Sequence, residues 1–307
     1  MMKLVAALAC IAMPVSGALA GQAPAAPVVT VQQASVEDPG HPPIIVGIWS
    51  PAELTGSAVP LVVMSHGTGA GPMAHVDTAQ ALAEAGFVVV APMHPGDNFQ
   101  DDSAVGRPEW MANRSRHVSR AVDYMLTQWA GHERLSRRVG MFGLSAGATT
   151  ALISAGGTPD LGRVAPHCAA RPEFVCRIMA PPAADAAAPQ FVHDSRVAAV
   201  VIAAPGLGFT FEPAGLADVR VPVQLWVGGA DETVPTATNG AVVRRLLPTQ
   251  PEFHEVENAV HLSFLAPCGP GAPPAICQDA PGFDRAAFHG EFNAAVVAFF
   301  RRHLGAD

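Results

Sequence analysis

The sequence has little charge, and least of all positive charge. Only 14% of its 307 residues are Asp, Glu, Lys or Arg, and 18 cationic side chains face 26 acidic ones, a formal net charge of −8. Without a basic field the chain has nothing to hold a phosphate backbone, which excludes nucleic acid as a partner. Metal-ligand patterns are missing too. The twelve histidines include no His-Glu-x-x-His, and no two of the five cysteines stand at the two-residue spacing of a zinc site, so neither a metal nor another cofactor is expected. Past residue 20 no apolar run approaches the roughly 20 residues a membrane-spanning helix needs. No internal repeat or linker composition divides the chain. What is abundant is apolar material, 50% of residues, together with 29 Gly and 29 Pro. That is enough for one large core threaded by many tight turns.

The first 20 residues, MMKLVAALACIAMPVSGALA, combine one cation at Lys3, a short apolar run and the small residues Ala18 and Ala20. They read as a signal peptide cut after Ala20, which predicts a secreted or periplasmic protein of one domain, residues 21–307. Pro14, Ser16 and Gly17 interrupt the run before it could span a bilayer. Cleavage would leave Cys168, Cys176, Cys268 and Cys277, an even number in an exported chain, and so disulfides are expected. Three connectivities are open; the local pairing, 168 with 176 and 268 with 277, is favoured.

From Ile44 onward short apolar runs alternate with helical segments. Strands are expected at 28–36, 44–49, 61–64, 87–90, 138–142, 197–203, 221–227 and 253–256. Helices are expected at about 73–85, 109–130, 146–155 and 284–303, the last with Phe288, Phe292, Val296 and Phe299 at helical spacing. Continuous apolar strands of this kind suit a mostly parallel sheet covered on both faces, an α/β fold. Residues 156–196 break the rhythm with six prolines and no period. They are read as an irregular, cap-like insertion over the carboxyl edge of the sheet.

The sharpest chemical signal is Gly143-Leu-Ser145-Ala-Gly147 between a strand and a helix, the context in which G-x-S-x-G forms a nucleophile elbow. A serine hydroxyl needs a base, and the base needs a carboxylate to orient it. Asp231 follows the strand 221–227, and His261 follows the strand 253–256, so Ser145, Asp231 and His261 occur in the hydrolase order. Glu232 and His254 are the rivals. Glu232 would point elsewhere from the same turn, and His254 lies inside a strand pattern rather than past its end. Asp231 could also simply cap its turn. For the oxyanion, the small-residue turn His66-Gly-Thr-Gly69 after a strand offers the Thr68 amide, and the start of the following helix offers that of Ala146. His66 and Ser65 are read as shaping the turn. The spacing Gly67-x-Gly69-x-Gly71 misplaces the third glycine of a dinucleotide turn, and the next strand ends in Ala91-Pro92 without an acid for a ribose. Met93, Leu207, Phe209, Phe211, Trp226 and Phe264 are candidate substrate-binding walls. Asp97, Asp101 and Asp102 read as a solvated acidic loop.

His66-Gly-Thr-Gly, Phe87-Val-Val-Val-Ala-Pro-Met-His-Pro-Gly96, Gly143-Leu-Ser-Ala-Gly147, Gly228-Gly-Ala-Asp231 and Ala259-Val-His261 together resemble the α/β-hydrolase superfamily. The nearest flavour is its exported dienelactone-hydrolase-like branch, related to platelet-activating-factor acetylhydrolases. The likeness runs from about Ile44 to Leu304. Two positions depart from it: Ser145 stands where dienelactone hydrolases carry cysteine, and Leu144 and Ala146 stand where the acetylhydrolase pattern has His and Phe. The expected activity is hydrolysis of carboxylic esters, small-molecule or lipid-like, with short to medium acyl chains, through an acyl-serine intermediate. A peptidase or acyltransferase using the same triad, and a non-catalytic binding protein on this scaffold, are the alternatives. The sequence leaves oligomeric state open.

Overall fold

The computed structural model describes residues 28–179 and 189–305. The expected signal segment, and residues 180–188 of the insertion, lie outside them. Eight strands form one sheet: β1 (Val29–Val36), β2 (Ile44–Pro51), β3 (Val59–Ser65), β4 (Val88–Met93), β5 (Leu135–Leu144), β6 (Val197–Ala203), β7 (Val223–Gly228) and β8 (Glu252–Val256). Their order is β1-β2-β4-β3-β5-β6-β7-β8. β1 pairs antiparallel with β2 and β2 with β4, and every later pairing is parallel. The helices are α1 (Val76–Glu84), α2 (Trp110–Thr127), α3 (Ala146–Ser154), α4 (Val164–Ala170), α5 (Val175–Ile178), α6 (Pro213–Leu216), α7 (Gly240–Leu246) and α8 (Arg285–Leu304).

Two-residue alternation sorts the side chains of this sheet into two cores. Leu61, Val63, Val88, Val90, Val139 and Met141 pack with Val118 and Val122 of α2 and Ala148 and Leu152 of α3. Val62, Met64, Val89, Phe142 and Leu144 face the other way, onto Leu82 of α1 and Phe292, Val296, Phe299 and Phe300 of α8. Both faces are therefore dry, which explains why these strands read as unbroken apolar runs. α8 starts where Asp284 Oδ1 accepts the Ala287 amide at 2.9 Å, an N-cap on the helix.

Two expectations need correction. The helix expected from Met73 begins as a 3₁₀ turn, Pro72–His75, because proline at its first position suits a tight turn, and α1 proper starts at Val76. Within the insertion the described residues are more regular than expected, with a 3₁₀ turn at Leu161–Arg163 followed by α4 and α5. Helices of seven and four residues are too short to print a period, and prolines hid them further.

Chain crossing at the carboxyl ends of β3 and β5 is unusually tight. A Cβ added to Gly147 would lie 1.9 Å from the Ser65 carbonyl oxygen, and one on Gly143 would lie 2.1 Å from the Gly147 carbonyl oxygen. Neither contact is possible without moving backbone. Gly147→Ala should therefore reduce soluble yield and lower Tm by well over 5 °C in a thermal melt, whereas Gly290→Ala, whose Cβ meets nothing within 4 Å, should leave Tm unchanged or raised within the helix.

Candidate active site

β5 runs straight into α3 with Ser145 between them as the helix N-cap. Its backbone sits at φ 58° and ψ −118°, a conformation costly for a residue with a Cβ. The surroundings hold it there: the Ser145 amide donates to Ala203 O at 3.0 Å, and its carbonyl accepts the Gly206 amide at 3.1 Å. Ala204 (φ 41°) and Leu207 (φ 54°), in the loop after β6, are also left-handed. Strain is concentrated around this serine, as it is at sites where a side chain must be presented rather than packed.

At the end of β7, Asp231 makes both of the contacts weighed for it. Oδ1 accepts the amides of Thr233 (3.0 Å) and Val234 (2.8 Å), capping the turn. Oδ2 lies 2.8 Å from His261 Nδ1. The acceptor-only carboxylate makes Nδ1 the protonated nitrogen, which leaves Nε2 with its lone pair. Both side chains are buried. His261 opens a 3₁₀ turn, His261–Phe264, past the end of β8. The rivals are elsewhere: Glu232 is exposed, and His254 stacks on Trp226 at 3.9 Å and pairs with Glu252. Ser145 Oγ forms no hydrogen bond with another described residue, and neither does His261 Nε2. The carboxylate–imidazole half of the constellation is closed; the imidazole–hydroxyl half shows no hydrogen bond.

Ser145 opens on a narrow cleft lined also by Thr68, Ala146, Trp110, Glu173, Phe174, Val175, Ile178, Leu207, Thr233, Val234 and Asn239. Among the described residues neither the Thr68 nor the Ala146 amide has an acceptor. The turn that binds Asp231 thus borders the same cleft as Ser145 and both amides. Of the candidate walls, Leu207 alone lines it. Phe209 stacks on His167 at 3.6 Å and faces a separate groove, Phe211 belongs to the core with α3, Trp226 and Phe264 are buried against α8, and Met93 pairs with Ile45 in the sheet. Trp110, Thr233 and Asn239 carry no local signal that marks them as walls, and neither, one by one, do residues 173–178, which fall within the expected cap-like insertion. The last are brought over the cleft by α5, and Glu173 is fixed there by Thr238 and by Asn239 Nδ2 at 3.1 Å. The Cys168–Cys176 bridge ties α4 to α5, and Cys268 is bridged to Cys277.

Asp97 is not part of a solvated loop. Only 1% exposed, it accepts from Gly69 N (2.8 Å) and Trp110 Nε1 (2.6 Å) and forms an ion pair with Arg114, itself 1% exposed. Asp101 and Asp102 are exposed, as expected. The partner decided the difference: α2 carries Arg114 inward, and a buried guanidinium requires a counter-charge. Beside it lies a chain of buried histidines. His94 bonds Ser65 Oγ at 2.9 Å and His117 Nδ1 at 3.3 Å, and its amide donates to His66 Nε2 at 3.3 Å. His66 shapes its turn through Nδ1, 2.7 Å from Gly67 O. Burial, with Arg114 nearby, lowers His66 to about 3 and His94 well below its ordinary value. Burial, with Arg116 beside it, lowers His117 to about 3. Burial alone dominates at His75, lowered to about 4. All four are neutral imidazoles at neutral pH.

The fold is that of an α/β hydrolase. Residues 50–180 match the model of the Dienelactone hydrolase family. Among solved structures, the crystal structure of a dienelactone hydrolase from Anabaena variabilis ATCC 29413 is similar with a TM-score of 0.56 over 90% of this chain and 98% of that one. At 19% identity that likeness speaks for the fold. A search of the curated proteins finds no match. No helix among the described residues is long and apolar enough to cross a membrane.

Two outcomes follow from these charges. Histidines lowered in the folded chain bind more protons once unfolded, so the stability they contribute is whole above about pH 6.5 and is lost as pH falls from there toward 3. Tm should fall steadily on acidification across that window, and His117→Gln should flatten the slope. Asp97→Ala, which strands the Arg114 charge, should cost roughly 3–5 kcal/mol in urea unfolding.

Proposed function

We propose that the chain is an exported serine hydrolase that cleaves carboxylic esters of short to medium acyl chain through an acyl-serine intermediate, without a cofactor. The observation that carries this reading is the shared cleft. Ser145 stands on a strained elbow, two amides without an acceptor among the described residues lie beside it, and the turn bonded to Asp231 Oδ1 forms part of the same wall.

In this mechanism His261 Nε2 takes the proton of Ser145 Oγ as the oxygen attacks the ester carbonyl. Asp231 holds the imidazole in the tautomer that keeps Nε2 free and stabilises the imidazolium that forms. Hydrogen bonds between such groups commonly tighten only once substrate is bound. The developing oxyanion is received by the Thr68 and Ala146 amides, which are placed before the reaction starts. Collapse expels the alcohol, protonated by His261, and a water activated by the same nitrogen releases the acid. The apolar walls, Trp110, Phe174, Val175, Ile178 and Leu207, suit an acyl chain, and residues 173–178 act as its cap. The leader and the two bridges suit an oxidising compartment.

A fluorophosphonate probe should label Ser145, and label nothing in Ser145→Ala. On p-nitrophenyl esters Ser145→Ala should lose at least roughly 10³-fold in kcat, and Asp231→Asn roughly 10⁴-fold, with KM little changed. Turnover should peak at short or medium acyl chains in a graded ester series. Ester cleavage surviving in Ser145→Ala would overturn the reading, and faster aminoacyl-amide than ester turnover would assign the triad to a peptidase.

A further inference from the structure

The two amides offered to the oxyanion come from different elements: Thr68 from the loop after β3, Ala146 from the first turn of α3. Their spacing has to match one oxygen atom, and no covalent link sets it. The buried side chain of Arg114 bonds to both elements. Arg114 Nε donates to Thr150 Oγ1 at 3.0 Å, and that hydroxyl donates in turn to the Ala146 carbonyl at 2.8 Å. Arg114 Nη2 donates to the His66 carbonyl and, at 3.2 Å, to Ser65 Oγ. Arg114 Nη1 is paired with Asp97 Oδ2, and Asp97 Oδ1 accepts the Gly69 amide at 2.8 Å. Thr68 is thereby gripped on both flanks, at the His66 carbonyl by the arginine and at the Gly69 amide by the aspartate.

We propose that Arg114, with Asp97 and Thr150, is a positioning unit that sets the distance and aim of the two oxyanion-hole amides; this rests on the serine-hydrolase reading above. None of the three need touch substrate. The planar guanidinium is suited to the task because it offers five donors in a fixed fork, so one rigid group can hold a loop, a helix and a carboxylate at fixed separations. Lysine, a point charge on a flexible stem, cannot. Asp97 serves twice, as the counter-charge that allows a guanidinium to be buried and as the acceptor that orients Gly69. Thr150 carries the grip to α3: it accepts from Arg114 and spends its own proton on Ala146. Had these contacts only stabilised the fold, removing one would change stability and leave turnover per intact site alone.

The test compares Thr150→Val, Thr150→Ser and Arg114→Lys, with rates normalised to sites titrated by a fluorophosphonate. kcat and KM are measured on p-nitrophenyl acetate, alongside affinity for a trifluoromethyl ketone, whose serine adduct places an oxyanion in the hole. Losing an oxyanion donor outright costs roughly 10²–10³ in kcat, so misaiming one should cost about ten-fold. Thr150→Val, nearly isosteric, should lower kcat about ten-fold with KM within about two-fold, and weaken the ketone in proportion. Thr150→Ser, which keeps the hydroxyl, should restore both, and Arg114→Lys should show the larger loss. Unchanged kcat and ketone affinity per titrated site in Thr150→Val, or a serine variant as impaired as the valine one, would overturn the positioning role even if Tm falls. Ser145→Ala separates the two levels: if it still turns over ester the parent reading fails, and if it does not while Thr150→Val is normal, only the positioning role fails.

Discussion

Everything at this site depends on how closely the end of β3 lies against the first turn of α3. The Ser65 carbonyl would meet any side chain at position 147, and the carbonyl of Gly147 would meet any at 143. That closeness forces Ser145 into its left-handed turn and brings the loop after β3 beside the helix N-terminus. A strained backbone persists only where its neighbours over-determine it. Here they do so through the loop after β6, whose Ala203 and Gly206 hold the serine's amide and carbonyl. One steric fact therefore fixes the elbow, the position of the Thr68 and Ala146 amides and the floor of the cleft.

Electrostatics then set the character of the ground beneath it. An arginine and an aspartate, each 1% exposed, sit beside the three neutral histidines His66, His94 and His117 at the carboxyl edge of a sheet whose two faces are otherwise dry. Burying a charge pair where apolar side chains could pack costs stability more often than it adds any. The return is geometric, because charged, planar groups hold neighbours at fixed distances and angles in a way that alkyl packing does not. The neutral histidines complement this: each can accept on one nitrogen and donate on the other, linking Ser65, His94 and His117 without adding charge.

The cleft itself is made of parts from distant stretches. Trp110 comes from α2, Leu207 from the loop after β6, and Phe174, Val175 and Ile178 from the disulfide-closed segment between α4 and β6. Glu173 fastens that segment to the loop following Asp231. The wall over Ser145 and the turn that orients His261 are thus joined, so a shift in one is felt by the other.

Local patterns were enough for much of this. Short continuous apolar runs marked the strands, and glycine at 143 and 147 marked the serine turn, because backbone geometry at those points is dictated by a few adjacent residues. The order of Ser145, Asp231 and His261 along the chain could be read for the same reason, each lying just past a strand. Chain order does not tell which way a side chain faces or what it meets. Phe264 and Trp226 are apolar and near the triad in sequence, yet they pack against α8; Asp97 looked like a surface carboxylate and is buried by an arginine seventeen residues on. The short helices over the cleft left no period to detect. Those outcomes depend on contacts between segments far apart in the chain, and only packing of the whole sheet and its helices decides them.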